Sequence, residues 1–394
     1  MTTEYTQLVG EGTAGDFVKQ TQGVAEGFSN VSQFWIPNTL SYEDCLNQLE
    51  AGRSSREDIN GKWEDWEFVL DGNKVGLKNK DDRVFIPTEH ALNQAIGWSE
   101  VSQTHIKQTL SPEFQADETD LSQLVDMLNY RKQRNHMTNK NEERELIFRT
   151  YNDNTLRAVL TKQFTAIDNR WVIELMRDLI PGGRVSHLRG DSDTIYTNIL
   201  LPDNVRYEED SGYGGMFAIK NSEIGRASFD TRPSLFRAIC MNGCIWSETK
   251  GVSYRQVHKG KINLEVLALE VSENLDKQIK IVPEIMDNFL KLRRYEFHEV
   301  AMGGVFAAIA ERFKLTTGQI SEVATQFARF EKDSRSAFGV INSITRAGQL
   351  YDAEICNKFD MLGGQLISEN WDKLVNTAKS YSESEWKKVL GVSA

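Results

Sequence analysis

The chain has 394 residues, 40% hydrophobic and 26% charged, with a formal net charge of -11; this is an ordinary globular composition, long enough for two or three domains. It excludes a membrane-spanning protein, because no window reaches the roughly 18 uninterrupted apolar residues that a span requires. Four cysteines in a chain this size exclude a disulfide framework, and "MTTEYTQLVGEGTAG" lacks the basic head and apolar run of a secretory signal, so a cytoplasmic protein with reduced thiols is predicted.

Taken in chain order, residues 1–40 are rich in Gly, Thr, Ser and Gln and predict a partly ordered arm. Gly10–Gly15, "GEGTAG", matches a dinucleotide motif by letter only, since no core strand precedes it and polar chain follows. Residues 41–130, with net charge -13 counted from the first residue, predict a small acidic α+β region. Here "SYEDCLNQLEAG" reads as a helix ended by Gly52, and Asp71-Gly72 between apolar runs reads as a hairpin. Thr88 behind Pro87 opens a helix carrying Leu92, Ile96 and Trp98. Leu121, Leu124, Val125 and Leu128 mark another helix, which runs into Arg131, Lys132, Arg134 and His136, where cations also suit the C-terminal end of the helix dipole.

Residues 131–261 carry a net charge of +5 and predict a basic central α+β domain. "ERELIFRTYNDNTLRAVLT" is a hairpin around Asn152-Asp153-Asn154-Thr155. A helix capped at Asp168 or Asn169 repeats Trp171/Val172, Leu175/Met176 and Leu179/Ile180 before Pro181-Gly182-Gly183 stops it. Further strands are predicted in "DTIYTNILLP", "YGGMFAIKNS", "GRASF" and "LFRAICMN". Residues 262–394, net -3, show only three-and-four spacing of apolar residues, with a capping-box pair at Thr316 and Gln319. The predicted fold is therefore α+β: a central antiparallel β-hairpin sheet with a packed helix, followed by a C-terminal helical bundle.

Catalytic signatures do not emerge. There is no nucleophile elbow, phosphate loop or H-E-x-x-H helix, and the six histidines are scattered. Cys240 and Cys244 have three residues between them and no second ligand pair behind them, which argues for small buried hydrophobes rather than zinc. Asp191 and Asp193 beside His187 could edge a Mg²⁺ ion in a nuclease, but Gly and Asp in "GDSD" are the ordinary residues of a turn. No metal and no cofactor are expected.

What remains is a sheet dressed with cations and aromatics. The expected nucleic-acid-binding set is Arg131, Lys132, Arg134, Arg149, Tyr151, Lys162, Arg184, Arg189, Arg226, Arg232, Arg237, Arg255 and Lys259, with Phe148, Phe164, Trp171, Lys220 and Lys261 interleaved. Single strands are held this way, by cations on phosphates and by aromatic faces worth about 1–3 kcal/mol per stacked base. The competing reading is that acidic flanks fold across the basic middle and satisfy the arginines internally.

The central block also carries a resemblance. "RTYNDNTLRAVLTKQFTAIDN", a helix, a Gly-rich stop and then "NSEIGRASFDTRPSLFRAICMNGCIW" resemble the phage/plasmid-like uncharacterised proteins grouped as domain of unknown function 932, over residues 145–250. Those proteins show a strand pair with a "lgvVs..Y..v.N" ending, a helix, and a later "tNShdGs.al...t..R.vC.Ntl" stretch. Asn221-Ser222-Glu223-Ile224-Gly225 stands at the "NShdG" position and Arg237 to Gly243 at "R.vC.N". Glu223-Ile224 replace His-Asp, so no role for that histidine carries over. The resemblance implies a mobile-element, phage origin and gives no reaction. In layout alone the chain is also similar to single-strand annealing proteins. The expected function is a phage-encoded, non-catalytic nucleic-acid-binding protein, acting on single-stranded DNA in recombination or replication and able to form homo-oligomers. The rival is an interaction protein, a host-factor inhibitor or assembly scaffold that works through its acidic surface.

Overall fold

Two sheets divide the strand-forming sequence, and a hairpin from the basic middle completes the first of them. The computed structural model describes residues 39–53, 56–99, 101–111, 115–136, 145–151, 153–190, 193–208, 211–237, 242–245, 253–332 and 334–392. The first sheet comprises β1 (Glu57–Lys62), β2 (Trp66–Asp71), β3 (Lys74–Asn79), β4 (Val84–Pro87), β5 (Glu145–Thr150) and β6 (Thr155–Thr161), in the order β1-β5-β6-β4-β3-β2. Gly72, at φ +56, gives the β2–β3 turn the left-handed backbone that a tight hairpin needs. A parallel contact between Ile86 and Thr155 joins the acidic region's strands to the central hairpin.

On this sheet pack α2 (Glu89–Trp98), α3 (Gln103–Thr109) and α4 (Glu118–His136), closing a core of Trp63, Trp66, Phe68, Phe85 and Phe148 with Leu121, Leu124 and Leu128. Thr88 caps α2 by accepting from the Ala91 N–H. The Trp66 and Phe148 rings stack at 3.9 Å within this core.

The second sheet comprises β7 (Arg184–Gly190), β8 (Thr194–Glu208), β9 (Ser211–Ser222), β10 (Phe229–Arg237) and β11 (Asn242–Ile245), with β12 (Tyr254–Gln256) beside the first residues of β10. Ile195, Ile199, Phe217, Ile219 and Leu235 face one apolar core, shared with α1 (Tyr42–Arg53), α5 (Asn169–Leu179) and the long α6 (Leu264–Lys291). That core continues without a break into α7 (Met302–Phe313), α8 (Thr317–Phe330), α9 (Ala337–Gly348), α10 (Ala353–Ile367), α11 (Trp371–Ser380) and α12 (Glu383–Leu390). The helical C-terminus therefore covers the second sheet. The Thr316–Gln319 capping box is present at the start of α8.

Residues 1–38, including the "GEGTAG" segment, lie outside the described residues, as do Asn152, Asp191 and Cys240; the side chains of His136, His187 and Cys244 are likewise not described.

Candidate functional site

The motif Asn221-Ser222-Glu223-Ile224-Gly225 leaves the end of β9 and turns back toward β10, and its polar side chains point inward. Gly225 has φ +77, a backbone that the return requires and that other residues rarely adopt. Asn221 donates to the Ile167 carbonyl at 2.7 Å and to Asn169 Oδ1 at 2.8 Å, just ahead of α5. Ser222 Oγ accepts from the backbone N–H groups of Ile224 and Arg226. The Glu223 carboxylate, 3% exposed, accepts from the Asn169 N–H at 2.7 Å and from Arg56 at 2.9 Å. A carboxylate at this position also favours the positive end of the α5 dipole. No cap bond from the Asp168 side chain is seen, and Glu223 takes that place from a different element.

Around Glu223 the network reaches the first sheet. Arg56 also meets Asp168 at 3.1 Å. Arg149, 3% exposed, forks onto Asp58 with two bonds of 2.8 Å and donates to the Glu223 carbonyl. Asp193, 1% exposed, accepts from the Tyr151 hydroxyl and from Arg157 at 3.2 Å. Both carboxylates thus hold one sheet to the other. For Arg149 and Tyr151 the expected ligand-facing role is corrected: they are interior, and their partners account for them. Asp193 is likewise committed to protein partners, and among the described residues no group of three or more His, Cys, Asp or Glu could hold a metal.

Arg237 belongs to the same class and receives the same correction. It is 10% exposed, pairs with Glu331 at 3.0 Å and lies over the Phe338 ring. Arg184 is spent on Thr39, through bonds of 2.6 and 2.7 Å. Lys132 donates to the Glu64 and Trp66 carbonyls and sits over the Trp63 ring, while Arg131 and Arg134 are exposed on α4. Lys162 pairs with Glu145 at the surface of the first sheet.

The remaining cations converge on the other face of the second sheet. Strand register sets Arg189, Tyr196, Lys220, Asp230 and Arg255 directly opposite one another on β7, β8, β9, β10 and β12, hence on one face. Arg232, two residues further along β10 and so on the same face, forks onto Asp230 at 2.6 and 2.9 Å. Arg226 extends from the β9–β10 turn and comes within 3.9 Å of Glu354 on α10. Arg255 is exposed and donates to Ser228; Lys259 is exposed just beyond. Burial lowers the Lys220 pKa, with Arg232 and Arg255 adding to that direction and Asp230 and Glu354 opposing it. The end of the β9–β10 hairpin thus gathers Lys220, Arg226, Arg232 and Arg255 against two carboxylates.

Helix α10 borders this face, leaving two small clefts that share Asn357, each with room for little more than a water. In the cleft beside β7 and β8, Asp360 is 3% exposed and lies 3.8 Å from Arg189, beyond hydrogen-bond range. Burial pushes its carboxyl from 3.8 up to about 7, and Arg189 only partly offsets this. The folded protein then holds a proton that the unfolded chain has lost, so stability present below the ordinary value of 3.8 should be lost as pH rises to about 7. Asp360→Asn is expected to flatten this fall, worth roughly 1.4 kcal/mol for each pH unit, in thermal melts taken across the acid range. An unchanged pH profile in the variant would contradict the assignment.

Asp230, Glu223 and Arg56 are the residues that matter here and that the expected binding set omitted, while Lys220 stood only among the residues interleaved with it. A polar Asn-Ser-Glu run at the end of an apolar strand was the available signal for Glu223. Arg56 had none, since its partners Asp168 and Glu223 lie more than a hundred residues away.

Residues 157–349 match the family model described as Domain of unknown function (DUF932). No curated protein and no solved structure matches the chain.

Proposed function

We propose that this chain, a member of the DUF932 family through residues 157–349, is a non-catalytic nucleic-acid-binding protein of phage or plasmid origin. In this reading it grips the phosphates of single-stranded DNA during recombination or replication. The observation that carries it is the convergence of Lys220, Arg226 and Arg255 at one hairpin end, beside Arg232. Guanidinium and ammonium groups that are only partly paired by protein carboxylates recognise phosphate oxygens, and the Tyr196 ring lies in the same row as Lys220. Lys259 extends the strip at its exposed edge. The interior arginines take no part.

Equilibrium binding of a fluorescent oligo(dT) over a salt series tests the reading. Three phosphate contacts should give a log–log slope of about -2, at about 0.7 per contact on single strands. Absence of binding at low salt would remove the proposal.

A second reading has its own support. Leu264, Val266 and Leu269 at the start of α6 are 37%, 49% and 67% exposed, and Val257 is 54% exposed. Apolar side chains left in water on one segment suit a protein partner, including another copy of this chain. A sedimentation series would find self-association if the partner is a second copy, and a salt-independent monomer otherwise.

A further inference from the structure

The C-terminal half of α4 is clamped to the first sheet at two points. Asn129 accepts from the Phe68 N–H at 3.0 Å and donates to the Phe68 carbonyl at 2.8 Å, and Lys132 donates to the Glu64 and Trp66 carbonyls while lying over the Trp63 ring. Leu121, Leu124 and Leu128 bury the same side of the helix. At about 3.6 residues per turn, Tyr130 falls just past Leu128 on the far side of the helix, where it is 58% exposed. Among the described residues no other Phe, Trp or Tyr is exposed. Arg131 follows Tyr130 directly and Arg134 is one turn on; both are exposed, and Arg131 has no ion pair or hydrogen bond among the described residues. The helix dipole accounts for cations at this end but asks nothing of an aromatic ring. The nearest carboxylate of α4 is Asp126, one turn before Tyr130, so toward the helix end only guanidiniums flank the ring.

We propose that this end of α4 is a second contact for the single strand: Tyr130 stacks on one base, and Arg131 and Arg134 take phosphates of the nucleotides beside it. A side chain adds most to affinity when it is held in place beforehand, because ordering a loose one costs part of what the contact returns. The Asn129 and Lys132 bonds on either side of Tyr130 and Arg131 supply that frame. The chemistry also selects the partner. A flat ring accepts the face of any base while guanidiniums hold the backbone, which suits a single strand bound without sequence preference. A duplex keeps its base faces stacked inside and offers this surface only phosphates. The contact rests on the proposed single-strand binding, and it adds to the hairpin strip a contribution that salt does not screen.

The test is oligo(dT) binding by the full chain over a salt series, repeated with an oligomer of the same length that lacks bases. Tyr130→Ala should weaken oligo(dT) binding roughly 5- to 100-fold, the range of one stacked base, with an unchanged slope, and should leave binding of the abasic oligomer as it was. Tyr130→Phe should keep native affinity. Arg131→Ala/Arg134→Ala should instead reduce the magnitude of the slope by about 1.4 on both oligomers, at about 0.7 per contact. Native oligo(dT) affinity in Tyr130→Ala would overturn the proposal, as would an equal loss on the abasic oligomer, which would mean a contact with backbone and not with a base. Arg226→Ala/Arg255→Ala is run alongside. A native slope there with weakened binding by Tyr130→Ala removes the hairpin strip and keeps the α4 contact; the reverse removes the α4 contact alone, and no binding by the native chain removes both.

Discussion

Glu223→Ala is expected to lower the stability of the folded chain by about 2–3 kcal/mol, the cost of leaving a buried amide unsatisfied and a guanidinium short of one of its two carboxylates. The carboxylate is 3% exposed and meets Arg56, itself only 19% exposed. Its other oxygen accepts from the Asn169 N–H, one of the first amides of α5, which has no bond from the Asp168 side chain to replace it. Truncation therefore leaves the Asn169 amide without its carboxylate and Arg56 with Asp168 alone, at the junction of the two sheets. The denaturant midpoint should fall by the corresponding amount. Arg149→Ala should behave similarly, because Asp58 would lose both arms of its fork. A change below about 1 kcal/mol in either variant, the size of a surface ion pair, would show that the network is solvated.

Arg237→Ala and Arg226→Ala should give opposite patterns although both arginines belong to the same stretch of sequence. Arg237 is 10% exposed and its partner Glu331 is 8% exposed, so the alanine variant is expected to lose about 3–5 kcal/mol. It should leave the salt dependence of DNA binding unaltered under conditions where it is folded. Arg226 is 39% exposed with Glu354 at 3.9 Å, and its removal should shift stability by no more than about 0.5 kcal/mol. Thermal melts and the oligo(dT) salt series on both variants read the two quantities separately. Stability loss in Arg226→Ala, or a weakened salt slope in Arg237→Ala, would reverse the assignment.

The sequence made local order legible where one element decides it. The Thr88 and Thr316 caps, the Gly72 turn and the helix beginning at Asn169 depend on neighbours within a few residues, and they form as expected. The α+β class follows from them. Long-range partnership was not legible: Asp58 with Arg149, Glu223 with Arg56 and Glu331 with Arg237 are separated by 91, 167 and 94 residues. An arginine on an amphipathic strand carries no mark that tells whether its face meets water or another carboxylate. Strand alternation would separate Arg232 and Arg237 only after the register of β10 was known, and register comes from the partner strands. The same limitation hid Asp360, which belongs to a helix yet titrates according to what β7 and β8 leave around it.

The most direct measurement is the salt dependence of oligo(dT) binding by the double variant Arg226→Ala/Arg255→Ala, with a melt of the same sample. Both side chains are at the surface of the strip. Loss of two phosphate contacts should reduce the magnitude of the log–log slope by about 1.4, with the melting temperature unchanged. An unaltered slope in a fully folded double variant would contradict the claim that this hairpin end is the nucleic-acid interface.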